Sequence, residues 1–181
     1  MFSIELLQSH LKTKILGKKI FYHSITESTN SDIWSLFEKE KNEGFVVVAN
    51  EQLAGRGRGK KKWYSKKNKS IICSFLIKQK FSVKKTGLHS ILIPIGIIAG
   101  IKKIIDKDFS IKWPNDILVE NKKLGGILIE TKFFNGSIYL NIGFGINVNE
   151  NLIDFPNKIQ SNATSLKIFS KHNIQRELLL A

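Results

Sequence analysis

The sequence predicts an α+β domain: a mixed, largely antiparallel sheet with helices on one face. Short apolar or alternating runs of strand length recur along the chain. Two segments carry apolar residues at helical spacing, and the second half reads as strands separated by turns. With 181 residues, 42% of them hydrophobic, the chain suits one domain with an ample core.

Residues 19–25 alternate and predict a strand. Residues 29–41 predict a helix with Ile33, Leu36 and Phe37 on one face, capped by Ser28 or Thr29. Residues 45–49 are solidly apolar and predict a short strand. A glycine- and lysine-rich loop follows, then a strand over 70–78. Residues 88–105 are apolar on most faces and predict a buried helix. Strands are predicted at 111–113, 117–119, 126–130 and 138–148, with turns at 114–115 and 121–123. A last helix is predicted over 173–181, with Asn173 as its cap and Leu178, Leu179 and Leu180 against the body of the domain.

The net charge is +14, from 29 Lys and Arg against 15 Asp and Glu. Positions 56–69 hold eight basic residues and no acid, and without them the excess falls to six. A local anion site accounts for that better than a generally basic surface. Cys73 is the one cysteine, which excludes an intrachain disulfide framework and reads as a buried thiol. The N-terminal residues lack a signal-peptide pattern. The longest near-continuous apolar run, 91–101, is too short to span a bilayer. The expectation is a cytoplasmic protein without membrane attachment.

Five constellations bear on chemistry. Residues 51–63 read EQLAGRGRGKKKW, in which arginine alternates with glycine. Glycine permits close backbone approach, and arginine offers a fork matched to carboxylate and phosphate. This is a cationic loop suited to closing over a small anionic ligand. Trp63 is either a stacking platform or a core anchor, and Lys66, Lys67 and Lys69 read as solvated. In the run Lys112 to Asp116, Asn115 and Asp116 are readable as plain turn residues after Pro114. Lys122 and Lys123 precede Gly125 and Gly126 at a strand entrance, where a ligand approaches or the chain makes a hairpin. Gly143 and Gly145 interrupt a β segment and need a packing or ligand reason. Asn147 just beyond them either reads a base edge or is satisfied internally. Glu27, Ser28, Thr29 and Asn30 join a strand to a helix, as caps or as a polar rim. The four histidines show no metal-ligand spacing, and no Walker motif or nucleophile elbow occurs.

Taken in order, STN, EQLAGRGRGKKKW, KWPND, KLGGILIE and GFGINV resemble the catalytic domain of biotin–protein ligases over about residues 20–150. The resemblance implies a fold similar to class II aminoacyl-tRNA synthetase and biotin–lipoate ligase catalytic domains. It also implies a two-step reaction with biotin, ATP and Mg2+. The biotin carboxylate attacks the α-phosphate to give biotinyl-5′-AMP, and a lysine of a biotin carboxyl carrier domain then takes the biotin. On this resemblance Ser28, Thr29, Asn30 and Gln52 look like biotin contacts. Gly55, Arg56, Gly57 and Arg58 look like the closing loop. Lys123 matches the lysine bridging carboxylate and α-phosphate, with Gly125 and Gly126 permitting that approach. Arg58 and Lys123 are therefore the expected catalytic residues. Arg58, Lys61, Trp63, Asn115, Asp116, Lys123 and Asn147 are the expected nucleotide side. No protein-held metal is expected; magnesium arrives with ATP, near Asp116.

The chain departs from the family at Gly59, Lys60, Lys61 and Lys62, where further arginine and glycine are usual, and Lys61 stands in place of a phosphate-contacting arginine. The expectation is a single catalytic domain over 1–181, without the N-terminal helix-turn-helix or the small C-terminal β domain of other members. A monomer or homodimer is expected, with nucleic-acid binding limited to weak charge attraction. The rival readings are a lipoate–protein ligase of the same fold and a nucleic-acid-binding protein that uses the basic loop.

Overall fold

The computed structural model describes residues 2–59, 61–79 and 87–181. Helix α1 (Ile4–His10) begins at Ser3, whose hydroxyl accepts from the Leu6 N–H at 3.2 Å. Strand β1 (Lys19–His23) follows, then helix α2 (Thr29–Glu40), strand β2 (Phe45–Ala49) and strand β3 (Ile71–Lys78). Helix α3 (His89–Lys102) leads into strands β4 (Phe109–Lys112), β5 (Asp116–Val119), β6 (Lys122–Phe134) and β7 (Ser137–Ile146). A 3-10 turn at Leu152–Asp154 precedes the short helices α4 (Asn157–Gln160), α5 (Leu166–Ser170) and α6 (Arg176–Leu180).

The strands form one seven-stranded sheet in the order β1-β2-β3-β7-β6-β5-β4. The β1–β2 pair is parallel and every other pair is antiparallel. The mixed, largely antiparallel α+β class is as the sequence predicts, but the helices do not lie on one face. Strand β2 explains why. All five of its residues are buried, as expected of a strand covered on both sides. Phe45 and Val47 pack with Ile33 and Phe37 of α2. Val46 and Val48 face the larger core, shared with Leu7 of α1, Ile101 of α3 and Leu166 of α5. Helix α2 thus covers one face, and α1, α3, α5 and α6 the other.

Several boundaries differ from the sequence expectation. The turn expected at 121–123 lies at Glu120 and Asn121, both at positive φ, so Lys123 is already within β6. The β6–β7 hairpin turns at Asn135 and Gly136, also at positive φ, which is the two-residue connection that matches strand twist. Helix α3 is only partly buried: Ile101 is inside, whereas Ile91, Leu92 and Ile95 are exposed. Helix α6 has Gln175 rather than Asn173 at its N-cap position, without a side-chain capping hydrogen bond, and the Ile174 N–H before it donates to Asn149 Oδ1 at 2.8 Å. Cys73 is buried and free, and burial pushes its thiol pKa up. Among the described residues no helix is long and apolar enough to cross a membrane.

Candidate active site

A cleft of about 500 Å³ opens between the N-terminal turn of α2, the 51–63 loop, and strands β6 and β7. Its floor is polar and tightly connected. Ser28 occupies the N-cap position of α2, but its side chain makes no capping hydrogen bond. The free N–H of Thr29 instead donates to Gln52 Oε1 at 2.8 Å, and the Thr29 hydroxyl lies 3.1 Å from the same oxygen. Thr29 also shares a 2.7 Å hydrogen bond with Ser74, which donates to Asn30 Oδ1 at 2.7 Å. Ser28, Thr29 and Asn30 are buried, so this corner is fixed in advance of any ligand. Gly143 makes room for it: a Cβ there would stand 1.8 Å from Asn30 Oδ1.

The cationic loop is a small hairpin. Trp63 N–H donates to the Gly55 carbonyl at 2.9 Å and Gly57 N–H to the Lys61 carbonyl at 2.8 Å. Its tip carries Arg58 and Gly59, the latter at φ +68°, a left-handed conformation that glycine adopts without strain. Trp63 is the wall of the cleft rather than a deep core anchor. Its ring lies flat over Gly145, where a Cβ would be 2.3 Å from Trp63 Cε2. Gly143 and Gly145 therefore have packing reasons within the site itself.

Lys123 enters from β6. Between β5 and β6 the register slips at Ile117 and Leu118, leaving Leu124 as an extra residue. Such a bulge changes the parity of the strand. Lys123 and Gly126, three positions apart, consequently share one face: a Cβ on Gly126 would be 3.4 Å from Lys123 Nζ. The lysine backbone is held on both sides, its N–H by Asn162 at 2.7 Å and its carbonyl by Thr164 N–H at 2.9 Å. Its ammonium meets Asp116 Oδ1 at 2.6 Å and lies 5.8 Å from the centre of the Trp63 ring. Asn115 Nδ2 reaches the Ile127 carbonyl at 3.2 Å, which ties the 113–115 turn to β6.

The fold gathers Ser28, Thr29, Asn30, Gln52, Arg56, Gly57, Arg58, Lys61, Trp63, Asn115, Asp116, Lys123 and Gly126 around this one cleft. Three expected site residues do not line it. Gly125 faces the core, where a Cβ would be 2.5 Å from Ile146 Cδ1; the bulge at Leu124 is the reason. Gly55 lies at the base of the hairpin, under the Trp63 carbonyl, and lines the outer side of the loop. Asn147 is buried and donates to the Thr164 carbonyl at 2.9 Å and the Lys123 carbonyl at 3.5 Å, so its amide braces the lysine strand. Lys60 lies outside the described residues. Lys67 and Lys69 are not merely solvated, since they pair with Glu51 and Asp154.

Sequence reasoning missed Trp113 at the mouth and Ile72 and Phe144 on the floor. It also missed Glu130, which pairs with Arg56. Trp113, Phe144 and Glu130 lie within the motifs KWPND, GFGINV and KLGGILIE, so their place in the motifs was the available signal, whereas Ile72 reads as an ordinary strand residue. Among the described residues, Arg58, Lys61, Lys62 and Lys112 line the cleft without an ion-pair partner. Among the described residues no group of three or more His, Cys, Asp or Glu side chains is placed to hold a metal.

Residues 22–149 match the biotin/lipoate A/B protein ligase family. The chain is 35% identical over 167 residues to the bifunctional ligase/repressor BirA of Bacillus subtilis, covering 92% of this chain and 51% of that protein. It is 30% identical over 146 residues to the biotin–[acetyl-CoA-carboxylase] ligase of Mycobacterium tuberculosis, covering 78% of this chain and 52% of that one. The chain thus spans about half the length of these relatives. The biotin protein ligase of Aquifex aeolicus, solved with biotin and ATP, superposes with a TM-score of 0.72 at 30% identity, over 90% of this chain and 66% of that one. With the family matched from the end of β1 through β7 and most motif residues converging on one cleft, this chain belongs to the biotin/lipoate A/B protein ligase family.

Proposed function

We propose that this chain activates biotin with ATP and passes it to a lysine of a biotin carboxyl carrier domain in the cytoplasm. The observation that carries this reading is the position of Lys123. It lines the same cleft as a polar corner suited to a ureido ring and as Arg58, Lys61 and Lys112, cations suited to a triphosphate. Lys123 is placed to trade Asp116 for the two oxygens that must meet, one from the biotin carboxylate and one from the α-phosphate.

In the first step a carboxylate oxygen attacks the α-phosphorus, the bond to the bridging β-oxygen breaks, and pyrophosphate leaves. Both reactants are anions, so fixed positive charge is what the reaction needs most. Arg58, Lys61 and Lys112 supply it at the rim, and Lys123 supplies it at the reacting oxygens. Asp116, within the cleft, would offer an oxygen ligand to a magnesium ion bound with the phosphates, which would neutralise part of their charge. Trp63 offers a flat apolar face beside the lysine, suited to a ring of substrate. In the second step the acceptor amine attacks the carbonyl of the mixed anhydride and AMP leaves. Holding the adenylate under the hairpin limits its hydrolysis before the acceptor arrives.

The test is biotin-dependent ATP–pyrophosphate exchange, followed by transfer of labelled biotin to a purified carrier domain. Exchange and transfer support the reading, and absence of both with folded protein overturns it. Titration calorimetry with biotin and lipoate in parallel decides the acid. Tighter lipoate binding would move the chain to the other branch of its family.

A further inference from the structure

Glu130 joins three segments far apart in sequence. Its Oε2 accepts from Asn30 Nδ2 at 3.3 Å and from Trp34 Nε1 at 2.9 Å, both on α2. Arg56, on the hairpin, meets it with both arms of the guanidinium, Nη1 to Oε1 at 3.0 Å and Nη2 to Oε2 at 3.3 Å. This is the bidentate fork, the most directional ion pair available to a side chain. Arg56 also bridges Lys62 through the backbone, so a hold on its side chain is a hold on the base of the hairpin. Glu130 itself is fixed in β6, opposite Asn141 of β7. One carboxylate therefore ties the loop to the two rigid elements that flank the polar corner.

We propose that Glu130 is a positioning residue that holds the base of the hairpin, at Arg56 and Lys62, over the cleft before any ligand arrives, acting through Arg56. The catalytic consequence rests on the biotin-activation reading above; the tether itself does not. The pair is partly exposed, at 44% and 25% for the two side chains, so its strength is moderate and the loop can still open for substrate entry.

The experiment is a double-mutant cycle with Glu130→Gln, Arg56→Gln and both together. Glutamine keeps an acceptor for Trp34 and Asn30 while removing the charge. The first readout is limited trypsin cleavage after Arg58 in ligand-free protein under native conditions, followed by mass spectrometry. Each single variant is expected to raise the cleavage rate about fivefold, and the double variant no further. Unchanged rates, effects that multiply, or an equal rise in cleavage after Lys102 would overturn the tether. The second readout is pyrophosphate exchange. Glu130→Gln is expected to raise KM for biotin about fivefold and leave kcat within about twofold. A fall in kcat at unchanged KM would overturn the positioning role. If the wild-type chain shows no exchange, the functional reading fails while the cleavage cycle still decides the tether.

Discussion

Lys123 Nζ lies 2.6 Å from Asp116 Oδ1, and the two residues sit at the starts of the paired strands β6 and β5. The lysine backbone is locked by Asn162 and Thr164 while its side chain remains 38% exposed. A rigid base with a reachable head is what a charge-delivering lysine requires. Asp116 keeps that head oriented until an anionic substrate takes its place.

Lys123→Ala is therefore expected to lower biotin-dependent pyrophosphate exchange by about a hundredfold to a thousandfold, the usual loss when a charge-stabilising donor is removed. Circular dichroism should stay unchanged, because the backbone hydrogen bonds of Lys123 do not involve its side chain. Near-normal exchange would remove Lys123 from the mechanism.

Arg58 sits at the hairpin tip without an ion-pair partner among the described residues. Arg58→Gly should leave the adenylate less well retained, so that free lysines of bystander proteins become labelled. The measurement is streptavidin blotting after incubation with albumin, with adenylate release followed by quench chromatography. Unchanged release with no stray labelling would show that Arg58 is not a latch.

Gly145 lets the Trp63 ring lie on β7. Gly145→Ala would place a Cβ 2.3 Å from that ring, a contact that only displacement of Trp63 relieves. The expected cost is about 1–3 kcal/mol in urea denaturation, with a red shift of tryptophan emission. Gly96→Ala is the control, since nothing lies within 4 Å of its added Cβ.

Glu150 is the group expected to shape the dependence of stability on pH. Burial raises its pKa above 4.5, and nearby Asp154 adds to the rise, while a hydrogen bond from Ser70 opposes it. Its Oε2 has no partner among the described residues. The folded state then binds a proton that the unfolded state has already released. Stability contributed by this group is present below about pH 4.5 and falls as pH rises from there through the folded-state pKa. Glu150→Gln should flatten that decline and raise Tm at pH 8 relative to the parent. Parallel Tm–pH curves for the two proteins would exclude Glu150 as the source.

Asn147→Ala removes the amide that joins Lys123 and Thr164 through their carbonyls. The expected loss is about 1–3 kcal/mol in stability, the penalty for leaving buried acceptors unmet. A fall in exchange activity should accompany it if the brace positions Lys123. Direct contact with the nucleotide would instead raise KM for ATP at unchanged stability.

Much of this architecture was legible because local chemistry and global fold agree. The solid apolar run at 45–49 marked a short strand, and in the structure it is β2, buried throughout with α2 on one side. Gly143 and Gly145 within a β segment called for a packing or ligand reason, which Asn30 and the Trp63 ring supply. The role of Glu130 was not legible, because a glutamate ending an apolar strand segment looks like any exposed charge until Arg56, Asn30 and Trp34 converge on it.

The sequence by itself determined most of the strands, the helices at 29–41, 88–105 and 173–181, the cationic loop and the family resemblance, since each depends on residue type and spacing along the chain. The short helices α1, α4 and α5 were not read from it. The tertiary structure alone decided which motif residues face the cleft. An unforeseen bulge at Leu124 turns Gly125 toward the core and Gly126 toward Lys123. Across the sheet, the 162–164 segment claims the Asn147 amide. Both outcomes follow from contacts between segments distant in sequence, where a one-residue change of register reverses the direction of a side chain.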